Sequence, residues 1–229
     1  YESGILASRV ERLPLSEMSD GIKIPAVDET SRADGSRWGG IRAYWADEGD
    51  EKTATKPKFR LVDLKLKKLI GLAYATDELL KDHSALGSWL TRAFSQEFAF
   101  KIDDMIYRGN GVGKGLGLLN APALVTVAKE TGQAAQTVLF ENVKAMWSRC
   151  YGRSRSNADW FVNQDVEPQL YGMSMTVGTG GVPVYLPAGG ISGQPYGTLF
   201  GRPVIPLEHA DTVGTVGDIV LADLSQYLM

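Results

Sequence analysis

One segment limits this chain more than any other. Between residues 85 and 108, apolar side chains return every three or four positions: Leu86, Trp89, Leu90, Ala93, Phe94, Phe98, Ile102, Met105 and Ile106. That spacing predicts one α-helix with a broad apolar stripe. At the helical rise it is a rod of roughly 36 Å. Ser84 stands where an N-cap is needed, and Gly109 where a C′ glycine would stop the helix. A rod of that length acts as a spine, and whatever else the chain forms must pack on its stripe.

The rest of the chain is unevenly textured. Of 26 glycines, 8 precede residue 109 and 18 follow it. Residues 168–201 carry no charged side chain at all. With 44% hydrophobic and 22% charged residues, the chain is neither disordered nor a collagen nor a coiled coil. A net charge of −3 argues against a dedicated nucleic-acid binder, which needs a basic face for phosphates. The single cysteine, Cys150, cannot form an internal disulfide, and its place on an amphipathic helix marks it as a packed thiol. No apolar run reaches the ~18 residues of a membrane-spanning helix. No signal-peptide pattern opens the sequence, which starts at Tyr1 and so reads as processed, cloned as a fragment or trimmed.

Local patterns fill in the remainder. Residues 1–27 read as short strands broken by Pro14 and Pro25. The segments "SRWGGIRAYW" and "KPKFRLVDL" read as the two strands of a protruding arm, joined by "ADEGDEKTAT". Charge in the arm is segregated: Asp47, Glu48, Asp50 and Glu51 come first, then Lys52, Lys56, Lys58 and Arg60. A strand through residues 59–73 follows, then a short helix capped by Thr76. A second amphipathic helix is expected at about 140–151, a buried strand at "DWFVN", and a short helix capped by Asn163. Residues 172–206 hold 9 glycines and 5 prolines, the texture of short strands and turns. The chain ends in a strand, "GDIVLADLSQYLM".

Motifs for chemistry fail on inspection. "RGNGVGKGLG" lacks the spacing of a phosphate-binding loop, because Arg108 stands five before Gly113 and Gly115 follows Lys114. The dinucleotide pattern fails too, since Lys114 or Leu116 occupies the third glycine's place. Glu208, His209 and Asp211 are neighbours in sequence, which does not build a triad. Surface or interface positions are expected for His83 and His209. No catalytic residue, cofactor site or metal site is expected, and the chain is not an enzyme.

The order of blocks then becomes informative. "AYWADEGDE" and "KPKFRLVDLKLKKLIGLAYATDELLKD" are followed by "SWLTRAFSQEFAFKIDDMIYRGNGVGKGLGLLN" and "NADWFVNQDVEPQL". "YGTLFGRPVIPLEH" and "GTVGDIVLADLSQYLM" close the series. Together these resemble the major capsid proteins of tailed bacteriophages, the Hong Kong 97 fold family, with Leu116 where proline is common. The resemblance implies an α+β fold with a long spine helix, an extended β-hairpin loop and an α+β axial domain. It places N-terminal strands of a peripheral domain at 1–27, the extended loop at 28–62, and the peripheral domain with its spine helix at 63–118. The axial domain falls at 119–217, and a return strand at 218–229 that is expected to continue further.

The implied function is a structural head subunit. It self-assembles into pentamers and hexamers of an icosahedral shell around packaged double-stranded DNA, in a virion assembled in a bacterial cytoplasm. Scaffolding or protease and portal proteins would be partners. A protein-storing nanocompartment shell is the alternative, and a nucleotide-binding enzyme a remote one. Inter-subunit contacts are expected from Trp45, the eight charged arm residues and the uncharged lobe. Gly178, Gly180, Gly181, Gly189 and Gly190 would lie at the axis, where like charges from symmetry mates would repel. Trp89, Leu90, Phe94, Phe98, Ile102 and Met105 are expected to form the spine core. Some family members crosslink an arm lysine to an asparagine with help from a glutamate. Lys52, Lys56 and Lys58 lie in the corresponding arm, but the partner residues belong to a region this sequence mostly lacks, so crosslinking is not expected.

Overall fold

The computed structural model describes the chain except residues 1–3, 16–18, 28–30, 32, 49–53, 75–82, 178–179, 184 and 186–196, and the side chains of 83–86, 174–177 and 180–183. The chain divides into two compact units. One is Tyr1–Leu13 with Lys68–Met229, and the other is Pro14–Lys67. The short helix expected after Thr76 lies outside the described residues.

The larger unit is built around a four-stranded sheet. Its strands are β3 (Asp159–Val162), β6 (Thr198–Leu199), β7 (Arg202–Pro206) and β8 (Ile219–Ala222), in the order β6-β7-β3-β8. β3 runs parallel to β7 and antiparallel to β8. Both faces of this sheet are covered, which is why "WFV" in β3 is apolar at consecutive positions instead of alternating. Phe161, Ile205 and Val220 point into one core with Leu6, Val10, Ile106 and Tyr107. Trp160, Val162 and Val204 point into a second core with Val143, Leu170, Tyr185 and Leu199.

The helices bracket the sheet. α1 (His83–Arg108) supplies Ile106 and Tyr107 to the first core. α2 (Phe140–Arg149) and α3 (Glu167–Tyr171) supply Val143 and Leu170 to the second. The Asn163 side chain accepts from Asp165 N and starts the 3-10 turn that leads into α3, as its sequence predicts. A small hairpin, β4 (Ser174–Val177) with β5 (Gly180–Pro183), completes the unit's described strands.

Four expectations need correction. First, "ILASRVERLPL" does not begin as a strand. Residues 5–9 turn, because the buried Asp103 carboxylate accepts from Leu6 N (3.3 Å) and Ala7 N (2.9 Å). That carboxylate does for the turn what an N-cap does for a helix. Only residues 11–13 then extend, pairing with 227–229 through Glu11 N to Tyr227 O, Met229 N to Glu11 O and Leu13 N to Met229 O.

Second, Gly109 is not a left-handed stop. Its N–H still bonds helically to Met105 O at 2.8 Å, and its φ is not among the positive ones. Glycine is required there by close approach, since a Cβ would collide with Gly115 O and lie 2.5 Å from Met105 O. Third, the closing strand is short. β8 ends at Ala222, and the Asp223 side chain caps a 3-10 turn over Leu224–Gln226.

Fourth, the arm is paired differently. In the unit Pro14–Lys67, β1 (Gly21–Val27) pairs antiparallel with β2 (Phe59–Lys65), with Ile22 opposite Leu64 and Ile24 opposite Val62. Residues 36–45, expected as a strand, hold a short 3-10 turn and then irregular chain. Trp38, Gly39 and Gly40 all have positive φ (52°, 74° and 103°). Three such residues in a row cannot continue a ladder.

Candidate inter-subunit surfaces

The arm exposes more apolar surface than a hairpin can justify alone. In antiparallel pairing, opposed residues share a face. One face of the hairpin carries Ile22, Ile24, Val62 and Leu64, all half-buried. The other carries Pro25, Val27, Phe59 and Leu61, all exposed. An isolated two-stranded hairpin is marginal in water, so apolar residues on both faces call for covering layers. Ile41, Tyr44 and Trp45 are also exposed, and Trp45 is completely so, at 105%. A tryptophan fully in water does nothing for the fold of its own chain, while tryptophan is the commonest kind of interface anchor.

The arm's charges are solvated. Glu48, Lys56, Lys58 and Arg60 are exposed, as is Asp47, while Asp50, Glu51 and Lys52 lie outside the described residues. Arg37–Asp34 (3.3 Å) and Lys65–Asp63 (3.7 Å) are ion pairs at the surface of this unit. Such pairs are worth little in water. Exposed charge of this kind serves register with a neighbour more than stability.

The spine residues fall into two groups. Ile106, Tyr107 and Asp103 are buried, and the sequence stripe missed the last two. Leu90, Phe94, Phe98, Ile102 and Met105 are half-buried, and Trp89 is 63% exposed, which corrects its expected place in the core. The reason is coverage: only the C-terminal third of α1 meets the sheet. Tyr107 donates to Gly217 O from the core. Burial pushes its phenol far above the ordinary range, and the Asp211 carboxylate adds to the push.

The glycine-rich loop after α1 spends its own donors. Gly111 N bonds Gly115 O (3.2 Å), Val112 N bonds Asn110 Oδ1 (3.1 Å), and Gly117 N bonds Gly109 O (2.7 Å). Asn120 Nδ2 donates to Gly109 O at 3.1 Å and locks the base of the loop. Those N–H groups are not available to a phosphate, so the loop is a structural turn and not a nucleotide cradle.

The remaining singled-out residues are placed as follows. His209 is buried against the Phe100 ring, 4.3 Å between centroids, contrary to the expected surface position; the His83 side chain lies outside the described residues. Burial raises the Cys150 thiol pKa, so the group stays protonated and unreactive near neutrality. Gly180 and Gly181 lie in β5, opposite Val177 and Thr176. Gly178, Gly189 and Gly190 lie outside the described residues. Tyr185 Oη accepts from Gly197 N at 3.1 Å, and a Cβ on Gly197 would enter the Tyr185 ring, so glycine is required there.

An aromatic stack missed by sequence reading covers the β6–β7 turn. Phe200, at φ 52°, lies on Trp147 (5.2 Å, 14°), and Arg155 lies over the same indole at 5.3 Å. Phe200 and Gly201 form a two-residue turn with both φ positive, where Asn-Gly is the usual choice. The stack compensates for the strain of a phenylalanine there.

A sheet covered on both faces, a long half-covered helix, a separate hairpin unit and a loop closed on itself define a structural protein, not an enzyme. The chain belongs to the phage capsid family, whose family model matches residues 2–229. Solved structures agree in fold. The capsid of a native GTA particle, computed with C5 symmetry, superposes with a TM-score of 0.72 at 18% identity, over 96% of this chain and 73% of that one. The capsid of an empty GTA particle gives 0.71 at 19% identity, with the same coverage. No curated protein matches the chain.

Proposed function

We propose that this chain is a major capsid subunit that self-assembles into pentamers and hexamers of an icosahedral shell enclosing packaged double-stranded DNA. The observation that carries the reading is the arm, where a completely exposed Trp45 and an exposed Phe59–Leu61 face await a neighbour. Membership in the phage capsid family, and likeness to capsids solved with C5 symmetry, support it. A ring of identical copies repeats one heterologous contact, and an arm with its own exposed apolar face can supply one half of it.

The uncharged stretch 168–201 suits the axial lobe. Two like unit charges about 4 Å apart repel by about 1 kcal/mol in water and about 4 kcal/mol near a protein surface, and a ring repeats that penalty at every copy. A net charge of −3 suits an inner wall that contains DNA without gripping it. Scaffolding, maturation-protease and portal proteins are the further partners of such a subunit, and the mature particle is its location.

Expression of the full-length protein followed by electron microscopy tests the shell. Closed icosahedral particles are expected, and a product that stays monomeric at assembly concentrations refutes it. Nuclease-protected double-stranded DNA in native particles tests the cargo. Particles filled instead with an enzyme would identify a nanocompartment.

A further inference from the structure

In the larger unit, residues 68–74 hold neither helix nor turn and lie beside the spine helix, and among the described residues their backbone has no hydrogen-bond partner. Gly71 fixes how the segment lies. A Cβ there would stand 2.8 Å from the Phe94 ring and 3.1 Å from that of Phe98, so the backbone rests directly on α1. Side chains alternate along an extended chain. Leu69, Gly71 and Ala73 therefore share the helix side, and Ile70, Leu72 and Tyr74 the other. Those three are 71%, 76% and 92% exposed. A seven-residue open edge with an apolar outer face is a template for an added strand.

We infer that residues 68–74 are completed by β-strand addition from the arm of a second copy, through the outer edge of β2. The inference rests on the shell reading above and names the surface on which the arm docks. Three observations select this occupant. A cyclic assembly joins two different patches of one chain, and the arm and this edge are two separate exposed strand features, both apolar. Within the arm sheet, Pro25 lacks an N–H and must face outward, which blunts the β1 edge and leaves β2 as the open one. The lengths agree: β2 has 7 residues, as do residues 68–74. Both therefore span about 23 Å when extended. Phe59 and Leu61 on the arm are apolar counterparts for Ile70, Leu72 and Tyr74.

Two measurements on shells of the full-length protein test this. The first is hydrogen exchange at residues 68–74, fast in the free subunit and slowed at least about tenfold on assembly. The second is disulfide trapping in a Cys150→Ala background. Subunits bearing Leu61→Cys or Asp63→Cys are co-assembled with subunits bearing Ile70→Cys or Leu72→Cys and mildly oxidised. Opposed strand residues lie within disulfide reach, so at least one of the four mixtures gives a crosslinked dimer and neither variant alone does. Protection already present in the free subunit would mean that the chain covers its own edge, and would overturn the inference. Protection on assembly without any crosslink would overturn the arm as occupant. Intact shells with fast exchange at 68–74 overturn the inference alone, whereas failure to form shells removes the shell reading and this inference together.

Discussion

Replacing Trp45 by alanine separates folding from assembly. Trp45 is completely exposed and so has no buried area in its own subunit to lose. The subunit's stability should change by less than about 0.5 kcal/mol, as for an ordinary surface substitution. At an interface the arithmetic differs. A buried tryptophan removes about 150–250 Å² from water, and anchors of this kind typically cost about 2 kcal/mol or more when truncated. A loss of about 2 kcal/mol corresponds to roughly 30-fold in a binding constant. Each copy in a ring both gives and receives the contact, so the critical concentration for shell formation should rise by at least that factor. Light scattering against subunit concentration measures the assembly term, and thermal melting of the free subunit measures the folding term. Unchanged assembly would refute the arm as anchor, and a melting temperature lowered by several degrees would show that Trp45 serves the fold of its own chain.

Three further outcomes follow from the interior. Asp103→Ala leaves the buried Leu6 and Ala7 N–H groups without an acceptor. A loss of about 2–5 kcal/mol in chemical unfolding is expected, while Asp103→Asn, which keeps one acceptor, should lose less. Gly117→Ala drives a Cβ against Gly109 N and to 2.8 Å from Met105 O. That overpacking should cost about 3 kcal/mol by the same assay. The Tyr107 phenol has its folded pKa raised above its unfolded value. The unfolded state therefore binds fewer protons above about pH 10, and stability falls as pH rises from there; denaturation titrations should show a shallower alkaline loss in Tyr107→Phe.

Local pattern was legible wherever local chemistry decides. The helical period marks α1 and α2, Asn163 announces the turn into α3, and the apolar run "WFV" marks a strand buried on both faces. What failed was decided by partners distant in sequence. Asp103 turns residues 5–9 across a separation of 97 residues, which no window reveals. The alternation in "GIKIPAV" matches that of β2 residue for residue, yet the aromatic "RAYW" looked more strand-like, and only the positive φ at Trp38, Gly39 and Gly40 excludes it. The apolar stripe of α1 was readable but not its coverage, because a period says which face is apolar and not how much of the chain reaches it. For the surfaces, segregated charge and Trp45 were visible in sequence. The open edge at 68–74 was not, since its residues read as an ordinary paired strand.

The same disparity explains why the subunit's surface points to assembly. A monomer that buried every apolar stripe its sequence announces would cover Trp89 and the outer side of residues 68–74. Here Trp89 is 63% exposed, Tyr74 92% and Trp45 fully exposed, on both compact units. The core around the four-stranded sheet is closed on both faces and needs no neighbour. The exposed apolar residues concentrate instead in the arm, in the segment after it and near the start of the spine. A chain stable through its sheet and unsatisfied elsewhere folds first and associates second. Trp160 and Leu170 are fully buried, whereas Trp45, Leu72 and Tyr74 are exposed. Substitutions at the first pair should therefore abolish soluble subunits, and those at the other three should leave soluble subunits that do not close into shells.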